Sequence, residues 1–131
     1  MLGERFTSVP GSSDYFLGGF ITYSNALKTE LLGVSPALLA ERGAASKEAA
    51  EAMAMGARRR ANSTYALSVT GVAGPDSGGE SVPVGTVYVG IADAAGTHVA
   101  ERRFLGDRTR VRVFTTQMAL DLLRRRMLGR V

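Results

Sequence analysis

The sequence predicts an α/β sandwich with a mixed sheet, on three observations. The first is Tyr65 to Ile91, YALSVTGVAGPDSGGESVPVGTVYVGI, which reads as strand, glycine-rich loop and strand. Tyr65 to Val69 mixes apolar and β-branched residues, while Gly85 to Ile91 alternates Val87, Val89 and Ile91 with smaller or polar-tipped ones. The second is helical spacing on both sides of that unit. Ala49, Ala50, Met53, Ala54, Ala57 and Ala61 precede it, and Val111, Phe114, Met118 and Leu122, with Leu123 and Met127, follow it. The third is the alternation of helix and strand along the chain, closed by a hairpin that makes the sheet mixed. A chain of 131 residues is expected to form one domain, residues 1–131, with a real core.

Taken in order, Leu2 to Phe6 reads as the end of a helix, followed by the turn Val9-Pro10-Gly11-Ser12-Ser13. Tyr15 to Tyr23, YFLGGFITY, predicts a strand whose Gly18 and Gly19 weaken it unless another backbone or a ligand comes close. Asn25 is expected to cap a short helix with Leu27 and Leu31 on one face and Gly33 at its end. Ser35-Pro36 restarts as cap and first helical residue of a second short helix, and Ser46 caps a longer one to about Ala61. Its alanine face permits close packing on a sheet. After the central unit, Ala94-Ala95-Gly96 turns into a polar edge strand from His98 to Phe104, and Asp107 starts the last helix.

Composition narrows the function classes. No apolar run reaches the roughly 18 residues of a membrane span, and MLGERFTSVPGS lacks the order of a secretory signal, so a cytoplasmic protein is expected. The absence of cysteine removes disulfides, thiolate nucleophiles and zinc-thiolate sites. His98 is the only histidine, too little for a histidine metal cluster, and is expected on a solvated strand edge. Net charge is +4, with fourteen arginines against two lysines, Lys28 and Lys47. The arginine clusters lack aromatic platforms or a recognition motif, so nucleic acid is not the expected partner; anionic small molecules fit the charge.

Two residues stand out chemically. Tyr23 closes the expected strand and Lys28 lies in the first turn of the next helix, so both are expected to face the crevice beyond the strand's end. The partial positive charge of a helix start penalises an ammonium there and lowers its pKa, which suits a general base for a nearby hydroxyl. The plain alternative is a solvated lysine beside a half-buried tyrosine. The loop from Thr70 to Gly79 matches neither GxGxxG nor GxxxxGK[ST]; it reads either as a pocket wall or as a long hairpin connection.

On YSNALK, on TGVAGP followed by PVGTVY, and on the run from VPGSSDYFLGGF to GARR, the sequence resembles the CinA C-terminal domain family, which comprises the nicotinamide mononucleotide deamidases. The resemblance covers essentially the whole chain. It implies a three-layer α/β/α domain that hydrolyses the carboxamide of a small nucleotide substrate to the acid and ammonia, without metal or other cofactor. It further implies that Lys28 is the base activating a serine nucleophile and Tyr23 its neighbour. Thr70, Gly71, Ala73, Gly74 and Pro75 then line the nucleotide pocket, with Asn25 a structural cap that holds Lys28.

Family members carry a strand and an ESCTGG-type motif with the nucleophilic serine ahead of the point matching Met1. By that comparison an N-terminal strand, the nucleophile and part of the first helix are missing here. Either the start is placed late and the longer protein is active, or a short chain loses the activity and exposes a sheet edge that invites association into a homo-oligomer. Three classes stay open: an amidohydrolase, a catalytically dead nucleotide-binding module, and an interaction domain tied to competence or DNA damage.

Overall fold

The computed structural model describes all residues 1–131. In chain order it contains α1 (Leu2–Thr7), a 3-10 turn at Ser12–Asp14, α2 (Asn25–Leu32), α3 (Pro36–Arg42), α4 (Lys47–Ala61), β1 (Ala66–Gly71), β2 (Thr86–Asp93), β3 (Gly96–Arg103) and α5 (Arg108–Met127). The strands form one sheet in the order β1-β2-β3. Both pairings are antiparallel, with Val69 opposite Val89 and Asp93 opposite Gly96 across the hairpin turn.

The sheet is therefore antiparallel throughout and not mixed. The strand expected at Tyr15 to Tyr23 is extended chain without a ladder. Its glycines explain why: Gly18 takes a φ of 153°, a region that favours glycine, and neither Gly18 nor Gly19 offers a side chain to pack.

Alternation along β2 divides the molecule into three layers. Val89 and Ile91 bury against Ala119 and Leu122 of α5, with Leu2 of α1 packed beside them. Tyr88 faces the opposite layer with Ala45, Ala50 and Val72. There α4 approaches the sheet closely because Ala49, Ala50 and Ala54 are small and fully buried. Gly90 completes the fit, since a Cβ there would lie 2.7 Å from the Ala50 carbonyl oxygen. Ser68 Oγ donates to that same carbonyl at 2.5 Å, which fixes the helix along the strand. Behind α4, Leu32, Val34 and Leu39 join Ala49 and Met53 in a separate cluster.

Helix caps follow the sequence closely at three positions. Ser35, Ser46 and Asp107 accept the backbone N–H of Leu38, Ala49 and Arg110 at 3.3, 3.1 and 2.8 Å. The inner face of α5 differs from the expected one. Thr115, Thr116 and Ala119 are buried with Val111 and Leu122, whereas Phe114 is 39% exposed. Two threonines can occupy the interface because each hydroxyl is satisfied within the helix, by Val111 O at 2.6 Å and Arg112 O at 2.9 Å. Phe114 instead lies beside Phe104, with the Arg110 guanidinium 4.8 Å from its ring centre.

At the far end of the sheet Arg126 grips the hairpin. Its guanidinium makes two parallel bonds to the Asp93 carboxylate at 2.8 and 2.9 Å and reaches the Gly96 carbonyl at 3.3 Å. The hydrogen bonds from Arg126 lower the Asp93 pKa from 3.8 to about 2. A carboxylate whose pKa is depressed in the folded state contributes stability above its unfolded value and loses it as pH falls through the folded one. Thermal melts between pH 5 and 2 should therefore show a loss of stability that Asp93→Asn removes, the variant being less stable than wild type only at the upper end. An unchanged acid limb in Asp93→Asn would show that the pair carries no pH-dependent stability.

Candidate functional site

The chain enters the site through α2. Ser24 is its cap: the residue is extended, at φ −94° and ψ 154°, and its Oγ accepts the Leu27 N–H at 3.1 Å. Asn25, expected to be the cap, is already the first helical residue. The cap must sit one position outside the helical backbone and reach the amide three residues on, and Ser24 meets both conditions. At the other end Gly33 adopts φ 70°, and the N–H groups of Gly33 and Val34 bond back to Thr29 O and Lys28 O.

The buried residues of α2 are Lys28 and Leu32, with Leu31 partly buried against the same cluster as Leu32 and Leu27 exposed. Lys28 is only 6% exposed, so it is not a solvated helix residue. Its Nζ donates to the Thr22 carbonyl at 2.8 Å. An ammonium has three donors, and no other acceptor is within bonding reach of it. Burial pushes its pKa below the ordinary lysine value, and the Glu80 carboxylate pulls it partly back.

Tyr23 does not share that environment. It is 85% exposed, as Ile21 is at 89%, while Thr22 between them is 7% exposed. In an extended chain neighbouring side chains point to opposite sides, and here the even position turns inward. The tyrosine expected to face the crevice with Lys28 instead faces solvent.

The loop between β1 and β2 carries the other candidate residues. Thr70 is buried and its hydroxyl donates to the Ala44 carbonyl at 2.7 Å. Gly71 lies so close to β2 that a Cβ would come within 2.6 Å of the Thr86 carbonyl. Val72 is buried, and its N–H and C=O pair with Thr86 O and Gly85 N to close the loop at its base. Ala73 is half-buried and Gly74 is buried at φ 93°, with a cis bond to the exposed Pro75. The five residues expected to line a pocket thus lie in one stretch interrupted by the buried Val72, and two of them, Thr70 and Gly74, already spend polar groups on the scaffold.

Two residues that sequence reasoning missed hold this loop. Arg108 Nη1 donates to Gly74 O at 2.9 Å from the first position of α5. Glu80 Oε1 accepts the Ala44 N–H at 3.2 Å at the junction of α3 and α4. The rule that marked Lys28, a cation at the electropositive start of a helix, applies equally to Arg108 and could have found it. Glu80 gives no such local signal, because its partner is 36 residues away. No group of three His, Cys, Asp or Glu side chains is arranged to hold a metal ion, and no helix is long and apolar enough to cross a membrane.

Comparison with known proteins places this geometry in a family. The profile of the CinA C-terminal domain matches residues 1–127. The chain belongs to the CinA C-terminal domain family. A CinA-like protein of Solibacter usitatus is 72% identical over 130 residues, covering 99% of this chain and 31% of the relative. A CinA-like protein of Geobacter sulfurreducens is 54% identical over 128 residues, again 31% of its length. The chain thus spans about a third of the curated relatives it matches. Among solved structures, the competence/damage inducible protein CihA from Agrobacterium tumefaciens superposes with a TM-score of 0.86 at 36% identity, covering 93% of this chain and 78% of that one. A competence-damaged protein (CinA) superfamily protein from Escherichia coli gives 0.86 at 28% identity, over 93% and 73% of the two chains.

For this member of the CinA family, the assignment of the α2 cap is open to direct measurement. Ser24→Ala should lower stability in urea unfolding by about 1 kcal/mol, the usual cost of a lost cap. Asn25→Ala should stay within about 0.5 kcal/mol of wild type, as surface substitutions do. The reverse order would restore Asn25 as the residue that holds Lys28.

Proposed function

We propose that this domain belongs to a nicotinamide mononucleotide amidohydrolase, cytoplasmic and working in pyridine nucleotide recycling, in which Lys28 is the general base. The observation that carries the reading is the buried Lys28 amine, bonded once, to Thr22 O, and held below its ordinary pKa by burial. A desolvated amine of that kind takes a proton from a hydroxyl more readily than a solvated ammonium can.

In this reading a serine hydroxyl attacks the carboxamide carbon while its proton passes to Lys28 Nζ. Backbone amides stabilise the oxyanion, the proton moves on to the departing nitrogen, and ammonia leaves. Water then attacks the acyl-serine ester and releases the acid. Thr70, Gly71, Ala73, Gly74 and Pro75 form the wall beside the nucleotide, and Tyr23, exposed as it is, has no assigned step. No metal or cofactor takes part.

In this reading the nucleophile is the serine of an ESCTGG-type motif, which does not occur among residues 1–131. Four of the ten serines within the chain are already committed to the fold. Ser24, Ser35 and Ser46 act as helix caps, and Ser68 is committed to the Ala50 carbonyl. The same observation favours a second reading, a binding module without activity. The apolar side chains left open at Leu17, Ile21 and Tyr23 accord with association into a homo-oligomer.

The test compares ammonia release from nicotinamide mononucleotide by residues 1–131 and by the protein extended upstream in the same reading frame. The extended protein should be active and Lys28→Ala should lower kcat by roughly 100-fold or more. Full activity in Lys28→Ala would remove the lysine from the mechanism. Binding by calorimetry without ammonia release from either form would establish the binding module instead.

A further inference from the structure

Helix α2, which carries Lys28, packs chiefly on α4, with α3 beside it. Its buried residues, Lys28 and Leu32, are four apart and so lie one turn from each other on the same face. Leu32 joins Ala49 and Met53 of α4 in one apolar cluster. The closest approach between the two helices is made by backbone. A Cβ on Gly56 of α4 would overlap the Leu32 carbonyl oxygen and lie 2.7 Å from the carbonyl carbon and 3.0 Å from the Cα of Leu32. Gly56 is buried inside α4, in a run otherwise rich in alanine, where glycine is the poorer helix former. Local preference therefore favours alanine at this position, and the contact forbids it. Leu32 O also has no amide four residues on, because that residue is Pro36. The oxygen is left to the bare Cα of Gly56, a close approach of the kind that recurs between helices. Three residues further along α4, Arg59 Nη2 stands 3.1 Å from where a Cβ on Gly33 would be, so the end of α2 meets α4 at two neighbouring points.

We propose that Gly56 is a positioning residue for Lys28: by admitting the Leu32 carbonyl it sets the depth at which α2, and the amine one turn before that carbonyl, sit in the fold. With eight residues α2 is barely two turns long, so its two buried side chains move as one piece. Ordinary contact between carbon atoms begins near about 3.5 Å, so a methyl group at position 56 drives the end of α2 outward by about 1 Å. Leu32 then loses part of its packing, and Lys28, 6% exposed in the wild-type chain, gains water. Burial is what holds the amine below its ordinary pKa, so a shallower amine titrates closer to the usual lysine value. The charged side chains of α2, α3 and α4, Glu30, Glu41, Arg42, Glu48 and Arg59 among them, and Glu80 in the loop are left as they are by this change. The shift therefore reports depth and not charge. The catalytic meaning of the placement rests on Lys28 being the base proposed above. The placement itself is a property of the resting chain and is measured without turnover.

Only two lysines occur in the sequence, so residues 1–131 can be labelled with lysine carrying carbon-13 at Cε and titrated by NMR. Lys47→Arg identifies the Lys28 signal. In Gly56→Ala the Lys28 midpoint should rise by about half a unit or more, toward that of the exposed Lys47. Leu39→Ala, which removes packing from the cluster that holds Leu32 but leaves the Gly56 contact intact, should lower stability and not move the midpoint. An unchanged midpoint in Gly56→Ala, or an equal rise in Leu39→Ala, overturns the proposal. Should Gly56→Ala not fold, wild-type protein decides: with urea added below the unfolding transition, the Gly56 Hα shift and the Lys28 midpoint, taken relative to Lys47, must change together, and independence of the two sinks the positioning role. In the protein extended upstream, Gly56→Ala should also lower kcat several-fold near neutral pH and displace its pH profile upward. Full activity in Lys28→Ala would remove the base but leave the placement standing, so the two conclusions fail separately.

Discussion

The bond from Lys28 Nζ to the Thr22 carbonyl is the constraint on which the candidate site depends. The stretch from Tyr15 to Tyr23 has no ladder to hold it, and α2 has eight residues, too few for a helix to persist alone in water. One charge-assisted hydrogen bond joins these two weak pieces, and because it is buried it is not shared with solvent. The geometry has an energetic consequence. A buried ammonium with one acceptor is less stable than the same group in water, so the contact that orders the segment also makes the amine readier to lose its proton. Local order and chemical reactivity have the same origin here.

The rest of the site is arranged by the α3–α4 junction. Gly43 and Ala44 stand where a strand end, a loop and two helices meet, and Ala44 satisfies Thr70 with its carbonyl and Glu80 with its amide. Neither bond belongs to regular secondary structure. The close approach of α4 to the sheet, through small residues and the Ser68 bond to Ala50, is what brings the junction within reach of β1. A bulkier α4 face would lift the junction away from β1. The alanine-rich composition of α4 is therefore part of the site as much as of the core.

Much of this could be read from the chain, and the misses have specific physical causes. Patterns confined to one element were legible: the alanine face of α4, the hairpin turn, the caps at Ser35, Ser46 and Asp107, and the alternation along β2. The weight placed on Lys28 rests on a single rule about charge at a helix start, whereas in the structure it is burial that lowers its pKa. The errors arose where a side chain has two plausible uses. Ser24 and Asn25 are both good caps, and only backbone geometry selects the serine. Threonines in α5 look polar by composition yet satisfy themselves inside the helix, which displaced the expected Phe114 from the core. Tyr15 to Tyr23 has strand composition, but a strand is a property of a pair, and no partner is written in the segment itself. Glu80 and Ala44 meet through tertiary packing alone, which local pattern cannot express.

The distribution of rigidity follows from these same contacts. The face of the sheet under α4 is packed by residues with almost no freedom, Ala49, Ala50 and Ala54, and is bonded across the interface. The other end of the hairpin is locked by two parallel bonds from Arg126 to Asp93. Freedom is left to the glycine-rich tip, where Gly78 and Gly79 have open space around them, and to the exposed approach to α2. Segments that must admit a ligand belong to the least stabilised part of a fold, because a tightly bonded loop would have to break those bonds for every binding event. Here the loop is held from its two sides by one arginine and one glutamate, each through a single backbone partner. That arrangement holds the loop far more lightly than the sheet behind it is held.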